Sequence, residues 1–194
     1  QSIETEKPTP SGKARNLGVG QSTGKLIVFV DSDCIVPPDF LEQHVLAHTR
    51  HPNAIVGGSV EFPPEGYLQL CDNVSSFHEY MPHMPEGTRR VLPSLNMSIE
   101  YAHWEKLGGF YEHPIAEDAD LVLRAKELGM KAIFFPGAKV LHVHNRDSLR
   151  SVLMHARRYG QYSSLLRSSA GIIRWLRRFP LLFYVFSPLI ALGS

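Results

Sequence analysis

Five consecutive apolar residues, Leu26 to Val30 (LIVFV), run without a break into Asp31-Ser32-Asp33. A run this short and rich in β-branched residues predicts a buried strand rather than a helix. Burying such a run on both faces requires helices laid over a sheet, which points to a layered α/β architecture. In open α/β sheets ligands bind beyond the carboxyl ends of strands, so the two carboxylates stand at a functional position. Residues i and i+2 of an extended segment face the same way, and two like charges held together repel unless a cation or several donors compensate them. A hard divalent cation carrying substrate phosphates would do so. The competing reading is an ordinary turn, where Asp is common.

The rest of the chain continues the alternation of strand and helix. The pattern predicts helices over 13–20, 39–49, 67–80, 101–107 and 118–128, and strands over 54–60, 131–135 and 139–143. The expected fold is therefore α/β, with a largely parallel sheet covered by helices. Residues 1–146 form the expected α/β domain. Cys34 and Cys71 are too few for a disulfide framework and read as small apolar residues.

The formal net charge of +1 hides an asymmetry. Through residue 145 the chain carries 12 Lys/Arg against 18 Asp/Glu, whereas 146–178 carry eight Arg against one Asp, and 179–194 carry no charge. In 147–178, Leu149, Val152, Leu153 and Ala156 share one helical face while Arg150, Arg157 and Arg158 lie elsewhere, a pattern suited to a membrane surface. The uncharged end is shorter than the roughly 20 residues needed to span a bilayer and reads as the start of a spanning helix. The basic stretch before it would place the domain on the cytoplasmic side. The alternative is an arginine-rich surface helix packed on the domain. No nucleic-acid partner is expected. With no initiator Met and no leader, the sequence reads as a piece of a longer chain.

Three further clusters carry chemical groups. In VLHVHN, His142 and His144 alternate onto one face of a strand, and imidazole suits Mn²⁺ and other transition metals; a strand cap and a surface histidine are the bland alternative. In AEDADL, Glu117, Asp118 and Asp120 gather at a loop-to-helix junction, where a cap needs only one carboxylate and another could act as general base. His44 and His48, spaced i and i+4 without the Glu of H-E-x-x-H, read as a helix surface.

Taken in order, ARNLG (14–18), GKLIVFVDSD (24–33) followed by PPDFL, LNMSIEYAHWEKLGGF (95–110), AEDADLVLRAKELG (116–129) and KVLHVHN (139–145) resemble the motifs of the family-2 glycosyltransferases, which have the GT-A fold. The resemblance implies inverting transfer of a sugar from a nucleotide-sugar donor, a UDP-sugar first among candidates, to a glycan or lipid-linked hydroxyl acceptor. It implies a divalent metal, Mn²⁺ or Mg²⁺, held by Asp33 with His142 or His144. Asp31 would lie near the donor ribose, and Arg15 would help organise the donor site. Asp118 would be the catalytic base with Glu117 beside it, and Asn96, Gly109 and Phe110 would line the acceptor pocket.

The sequence departs from the family at two places. Members begin with a strand, a helix and a second strand that hold the nucleotide base, and nothing before Ala14 resembles them. The piece is thus expected to lack part of the donor site and to be weakly active or inactive alone. Polymer-making members carry Q-x-x-R-W after the base; here His155 and Tyr159 replace Gln and Trp, which implies transfer of one or a few sugars, with Arg158 and Tyr159 at the acceptor entrance. Two alternatives from other classes are a non-catalytic membrane-associated module and a sugar nucleotidyltransferase.

Overall fold

The computed structural model describes residues 3–5, 8–63, 66–112, 116–144 and 146–166, the side chains of 158–166 excepted. In chain order the elements are α1 (Ser11–Gly20), β1 (Leu26–Val30), β2 (Cys34–Ile35), α2 (Phe40–Arg50), β3 (Ala54–Glu61) and α3 (Tyr67–Phe77). A 3-10 turn follows, then β4 (Gly87–Thr88), β5 (Asn96–Glu100), α4 (Tyr101–Leu107), α5 (Glu117–Glu127), β6 (Lys131–His142) and α6 (Leu149–Leu166).

The sheet runs β1-β5-β3-β6-β2, with β4 also paired to β6. The expectation of a largely parallel sheet needs correction, because among the described strands only β3 and β6 pair in parallel. The cause is β5. It threads between β1 and β3 antiparallel to both, so β1, β3 and β6 still point the same way, as strand–helix alternation requires, yet β1 and β3 are not neighbours. The segments expected as two strands, 131–135 and 139–143, are one strand. The pairing of β3 with β6 jumps from Gly58↔Phe135 to Ser59↔Lys139, leaving Pro136, Gly137 and Ala138 as a bulge.

Alternation along β3 divides the core between two faces. Ile55 packs with Met97 and Ile99 of β5, Trp104 and Leu107 of α4, and Leu121, Val122 and Ala125 of α5. Ala54 and Val56 face the other way, against Ala47 of α2 and Ile133, Phe135 and Ala138 of β6.

His44 and His48 overturn the helix-surface expectation, since both are buried. His48 Nε2 donates to Ser98 Oγ (2.9 Å), Ser98 in turn bonds His44 Nδ1 (2.8 Å), and His44 Nε2 donates to Asn96 Oδ1 (3.0 Å). Asn96 Nδ2 closes the chain on two backbone carbonyls, Ser59 (3.0 Å) and Ala138 (2.9 Å). Burial pushes the His44 imidazole down to about 4, so it acts at neutral pH as an uncharged tie between α2 and β5.

Helix α6 packs against α3 through a face that shares only Val152 with its apolar stripe. Val152 and His155 are half-buried there, whereas Leu149 and Leu153 remain 60% and 58% exposed. No described helix is long and apolar enough to cross a membrane. Residues 167–194, including the uncharged end, lie outside the described residues, as do the side chains of Arg158 and Tyr159.

Candidate active site

The carboxyl end of β1 opens into a cleft of about 190 Å³ whose lining includes Asp31, Asp33, Asp118, His142, Arg146 and His155. A larger cavity of about 660 Å³ lies at the opposite end of β1, beside Lys25, Val45 and Glu100, and contains none of these groups. The smaller cleft is where the chemistry collects.

Asp31 and Asp33 reach it by a route the strand reading did not foresee. Ser32 and Asp33 form a turn rather than an extended continuation of β1, closed by a bond from the Cys34 amide to the Asp31 carbonyl (3.0 Å). The turn leads into β2, whose Cys34 pairs with His142 at the end of β6. Val143 N–H then donates to the Asp33 carbonyl (2.8 Å), which fixes Asp33 beside the histidine strand. Asp33 Oδ2 and His142 Nε2 end 3.4 Å apart.

Asp31 turns the other way. Its Oδ1 accepts from Arg15 Nη2 (2.5 Å), and Arg15 Nη1 donates to Glu117 Oε1 (2.8 Å). Ser11 Oγ donates to the same Glu117 oxygen (2.6 Å). Glu117 is thus buried behind the cleft, where it anchors Arg15, and Arg15 in turn holds Asp31.

The GGF turn supports that arrangement from below. Asn16 pairs with both backbone groups of Phe110 (2.9 Å each), and the Phe110 ring packs on Phe29 and Trp104 beneath the Arg15 guanidinium, 5.5 Å from its centroid. Gly108 and Gly109 have φ of +73° and +83°, where a side chain would be strained. Arg124 ties the turn to α5 through the Leu107 and Gly109 carbonyls. The structure therefore does not bring Gly109 or Phe110 into the cleft. Asn96 is likewise absent from it, being fully buried in the α2–β5 tie.

Asp118 sits at the start of α5, with its carboxylate accepting from the Ala119 amide (2.7 Å) and the Ser94 amide (3.3 Å). Burial, reinforced by the neighbouring Glu117 charge, outweighs these donors and pushes its pKa up to about 6. A carboxylate so placed is ionised at neutral pH yet more basic than a free Asp, as a general base requires.

His142 lies under Phe77 and is held below the usual imidazole range by burial, despite the Asp33 charge, so it is neutral and able to ligate. His144 spends both ring nitrogens within the protein, on Asn73 and on the Arg146 amide. Among the described residues no three His, Cys, Asp or Glu side chains form a closed metal cage. The Asp33–His142 pair at an open cleft nevertheless fits a divalent ion that takes its remaining ligands from substrate phosphates and water.

Three residues of this region carried no assignment from sequence, Asp72 and Asn73 of α3 and Arg146, and His155 had been read only as standing in place of the Gln of Q-x-x-R-W. The buried Asp72 carboxylate accepts from Arg146 Nε (2.6 Å) and from His155 Nδ1 (3.1 Å). Burial alone would raise its pKa, but those two partners outweigh it and hold the group ionised. The available signal was the polar Asp72-Asn73 pair between Cys71 and Val74 in the helix stretch LQLCDNV.

The model for glycosyl transferase family 2 matches residues 3–100, about half of the chain. The chain belongs to glycosyl transferase family 2. The match spans Arg15, Asp31 and Asp33 and ends before Asp118 and His142. Similar proteins include the glycosyltransferase AglE of Haloferax volcanii, 29% identical over 122 residues, covering 62% of this chain and 40% of that one. The pre-mycofactocin glycosyltransferase of Mycobacterium tuberculosis is 30% identical over 155 residues, covering 76% and 33%. The chain thus spans well under half the length of either relative. The mannosyltransferase PcManGT from Pyrobaculum calidifontis, solved with GDP-Man and Mn2+, superposes with a TM-score of 0.59 at 20% identity over 89% of this chain and 46% of that one. The expected GT-A fold is the one observed. Membership in the family sets aside the nucleotidyltransferase alternative.

Proposed function

We propose that this family-2 chain carries the catalytic site for metal-dependent, inverting transfer of a sugar from a nucleotide-sugar donor to a hydroxyl acceptor. The observation that carries the reading is one small cleft joining the Asp33–His142 pair to a carboxylate, Asp118, whose pKa is about 6. Asp33 and His142 would hold a divalent ion, which supplies positive charge to the departing diphosphate. Asp31, fixed by Arg15, borders the donor, and Arg146 adds a cation to the same wall. Asp118 takes the proton from the acceptor hydroxyl as its oxygen attacks the anomeric carbon from the face opposite the leaving group. The GDP-Man and Mn2+ bound to the structurally similar mannosyltransferase support a nucleotide-sugar donor and a metal.

The test is calorimetric binding of UDP and GDP with and without Mn²⁺. Metal-dependent binding of one of them is expected, and Asp33→Ala should weaken it by at least about 100-fold, since loss of an outer-shell partner alone costs roughly 10- to 100-fold. Binding that is equal with and without Mn²⁺, and unchanged in the variant, would exclude the metal site.

We further propose that α6 rests on a membrane, with the domain on the cytoplasmic side and the acceptor reached at that surface. Exposed Leu149, Leu153 and Met154 beside Arg150 and Arg157 support this reading. Co-sedimentation with vesicles containing phosphatidylserine should exceed that with neutral vesicles, and Leu153→Glu should reduce it several-fold. Equal recovery from both vesicle types would count against the surface.

A further inference from the structure

We propose that Asn73, through a single amide oxygen, fixes the tautomer of His142 and thereby decides that His142 rather than His144 presents a lone pair beside Asp33. One backbone group here has an unambiguous role. The Arg146 amide lies 3.1 Å from His144 Nδ1. An amide N–H can only donate, so Nδ1 of His144 is an acceptor and its ring hydrogen must be on Nε2. That Nε2–H points at Asn73, 3.0 Å away, and only the oxygen of the Asn73 amide can accept it. The same oxygen lies 3.1 Å from His142 Nδ1. Since the oxygen can only accept, His142 carries its hydrogen on Nδ1, and its Nε2 is left with a lone pair.

This lone pair faces Asp33 Oδ2 across 3.4 Å. Two acceptors in that position have no hydrogen to share, which leaves the gap suited to a cation. Neighbouring histidines thus receive opposite tautomers from one oxygen. His144 is consumed within the protein, and His142 becomes the imidazole open to the cleft.

Asp72 secures the start of the chain. It takes Arg146 Nε at 2.6 Å, which holds the segment whose amide reaches His144. All these groups are well packed: Asn73, His142 and His144 are buried, with the Phe77 ring against His142 at 5.4 Å. One turn of α3 therefore orients groups contributed by β6 and the segment after it. In this role Asn73 and Asp72 are positioning residues, since neither lines the cleft itself. The consequence for metal binding rests on the donor site proposed above, whereas the tautomer assignment does not.

The deciding experiment is a long-range ¹H–¹⁵N spectrum of the histidine-labelled chain without metal at pH 7.5, with signals assigned through His142→Gln and His144→Gln. We expect Nδ1–H for His142 and Nε2–H for His144. In Asn73→Ala, His142 should shift to a tautomer mixture. His144 should keep Nε2–H, because the Arg146 amide still occupies its Nδ1. Asn73→Asp retains the accepting oxygen and should restore the wild-type His142 signal. A purely structural role for Asn73 would not separate the two histidines in this way. Binding of Mn²⁺ with UDP or GDP should weaken roughly 10- to 100-fold in Asn73→Ala and recover in Asn73→Asp. Nε2–H on His142 in the wild type, or unchanged Nδ1–H in Asn73→Ala, overturns the inference. Absence of metal-dependent nucleotide binding in the wild type counts against the proposed function and leaves the tautomer spectrum to decide this point.

Discussion

Replacing Asp118 with asparagine is expected to lower sugar transfer by about 10²–10⁴-fold, the range for loss of a general base, while making the chain more stable at pH 7. The two effects have the same origin. The folded state holds Asp118 in surroundings that penalise its charge, so burial and the neighbouring Glu117 push its pKa up from the ordinary 3.8 to about 6. Between those values the folded state keeps a proton that the unfolded chain has lost. Stability from this group is therefore full at low pH, declines as pH rises from about 4 to 6, and stays reduced above that. Asparagine is uncharged throughout and removes the penalty, with a gain on the order of 1 kcal/mol after allowance for the weakened bonds from the Ser94 and Ala119 amides. Wild-type turnover should rise through pH 6 as the base loses its proton, provided the metal–nucleotide complex stays saturated. The measurements are kcat with a nucleotide sugar across pH 5–8, and thermal melts of both proteins at pH 4.5 and pH 7. A variant that retained more than a tenth of wild-type kcat would remove Asp118 from the role. If its stability advantage failed to grow between pH 4.5 and pH 7, the raised pKa would be refuted instead.

The parts of this site that sequence reading recovered are those written into one contiguous motif each. A strand running into DSD placed Asp31 and Asp33 at a sheet edge, and the start of α5 placed Asp118, because local pattern fixes where such elements begin and end. What it missed lies in packing between distant elements. His142 is oriented by Asn73, 69 positions away, and Asp72 and His155 meet across 83. The i, i+4 spacing of His44 and His48 shows that they share a face but not which way that face looks. The answer lay in Asn96 and Ser98, polar residues at alternating positions of β5 that point to the same side, opposite the apolar Met97 and Ile99. The resemblance assigned Asn96 to the acceptor pocket, whereas the structure places its amide on His44, Ser59 and Ala138. Alternation of strands and helices correctly gave the direction of β1, β3 and β6. It carried no information about β5, which enters between two of them.

Gly58→Ala should cost on the order of 3–5 kcal/mol, combining overpacking with loss of buried hydrogen bonds. A methyl group built on Gly58 would lie 2.1 Å from the Ala138 carbonyl oxygen and 2.3 Å from Asn96 Nδ2. Neither neighbour is free to retreat. Asn96 Nδ2 donates to Ala138 and Ser59, its oxygen is held by His44, and Ala138 is packed in the small core under α2. The methyl would separate β3 from both β5 and β6 at a single point. A loss of this size is a large share of the roughly 5–15 kcal/mol that holds an ordinary domain folded. Urea unfolding measures it, with Gly18→Ala in α1 as the reference, since nothing lies within 4 Å of that added methyl and helix propensity favours it by about 0.5–1 kcal/mol. A Gly58→Ala protein within 1 kcal/mol of wild type would show that the strands part more easily than this geometry allows. The effect should reach the cleft as well. Gly58 stands where the β3–β6 pairing skips the bulge, and the register beyond that skip aligns His142 with Cys34 and so beside Asp33. Any fraction of the variant that remains folded should therefore bind nucleotide with a weaker dependence on Mn²⁺, although the substitution touches none of the groups that line the site.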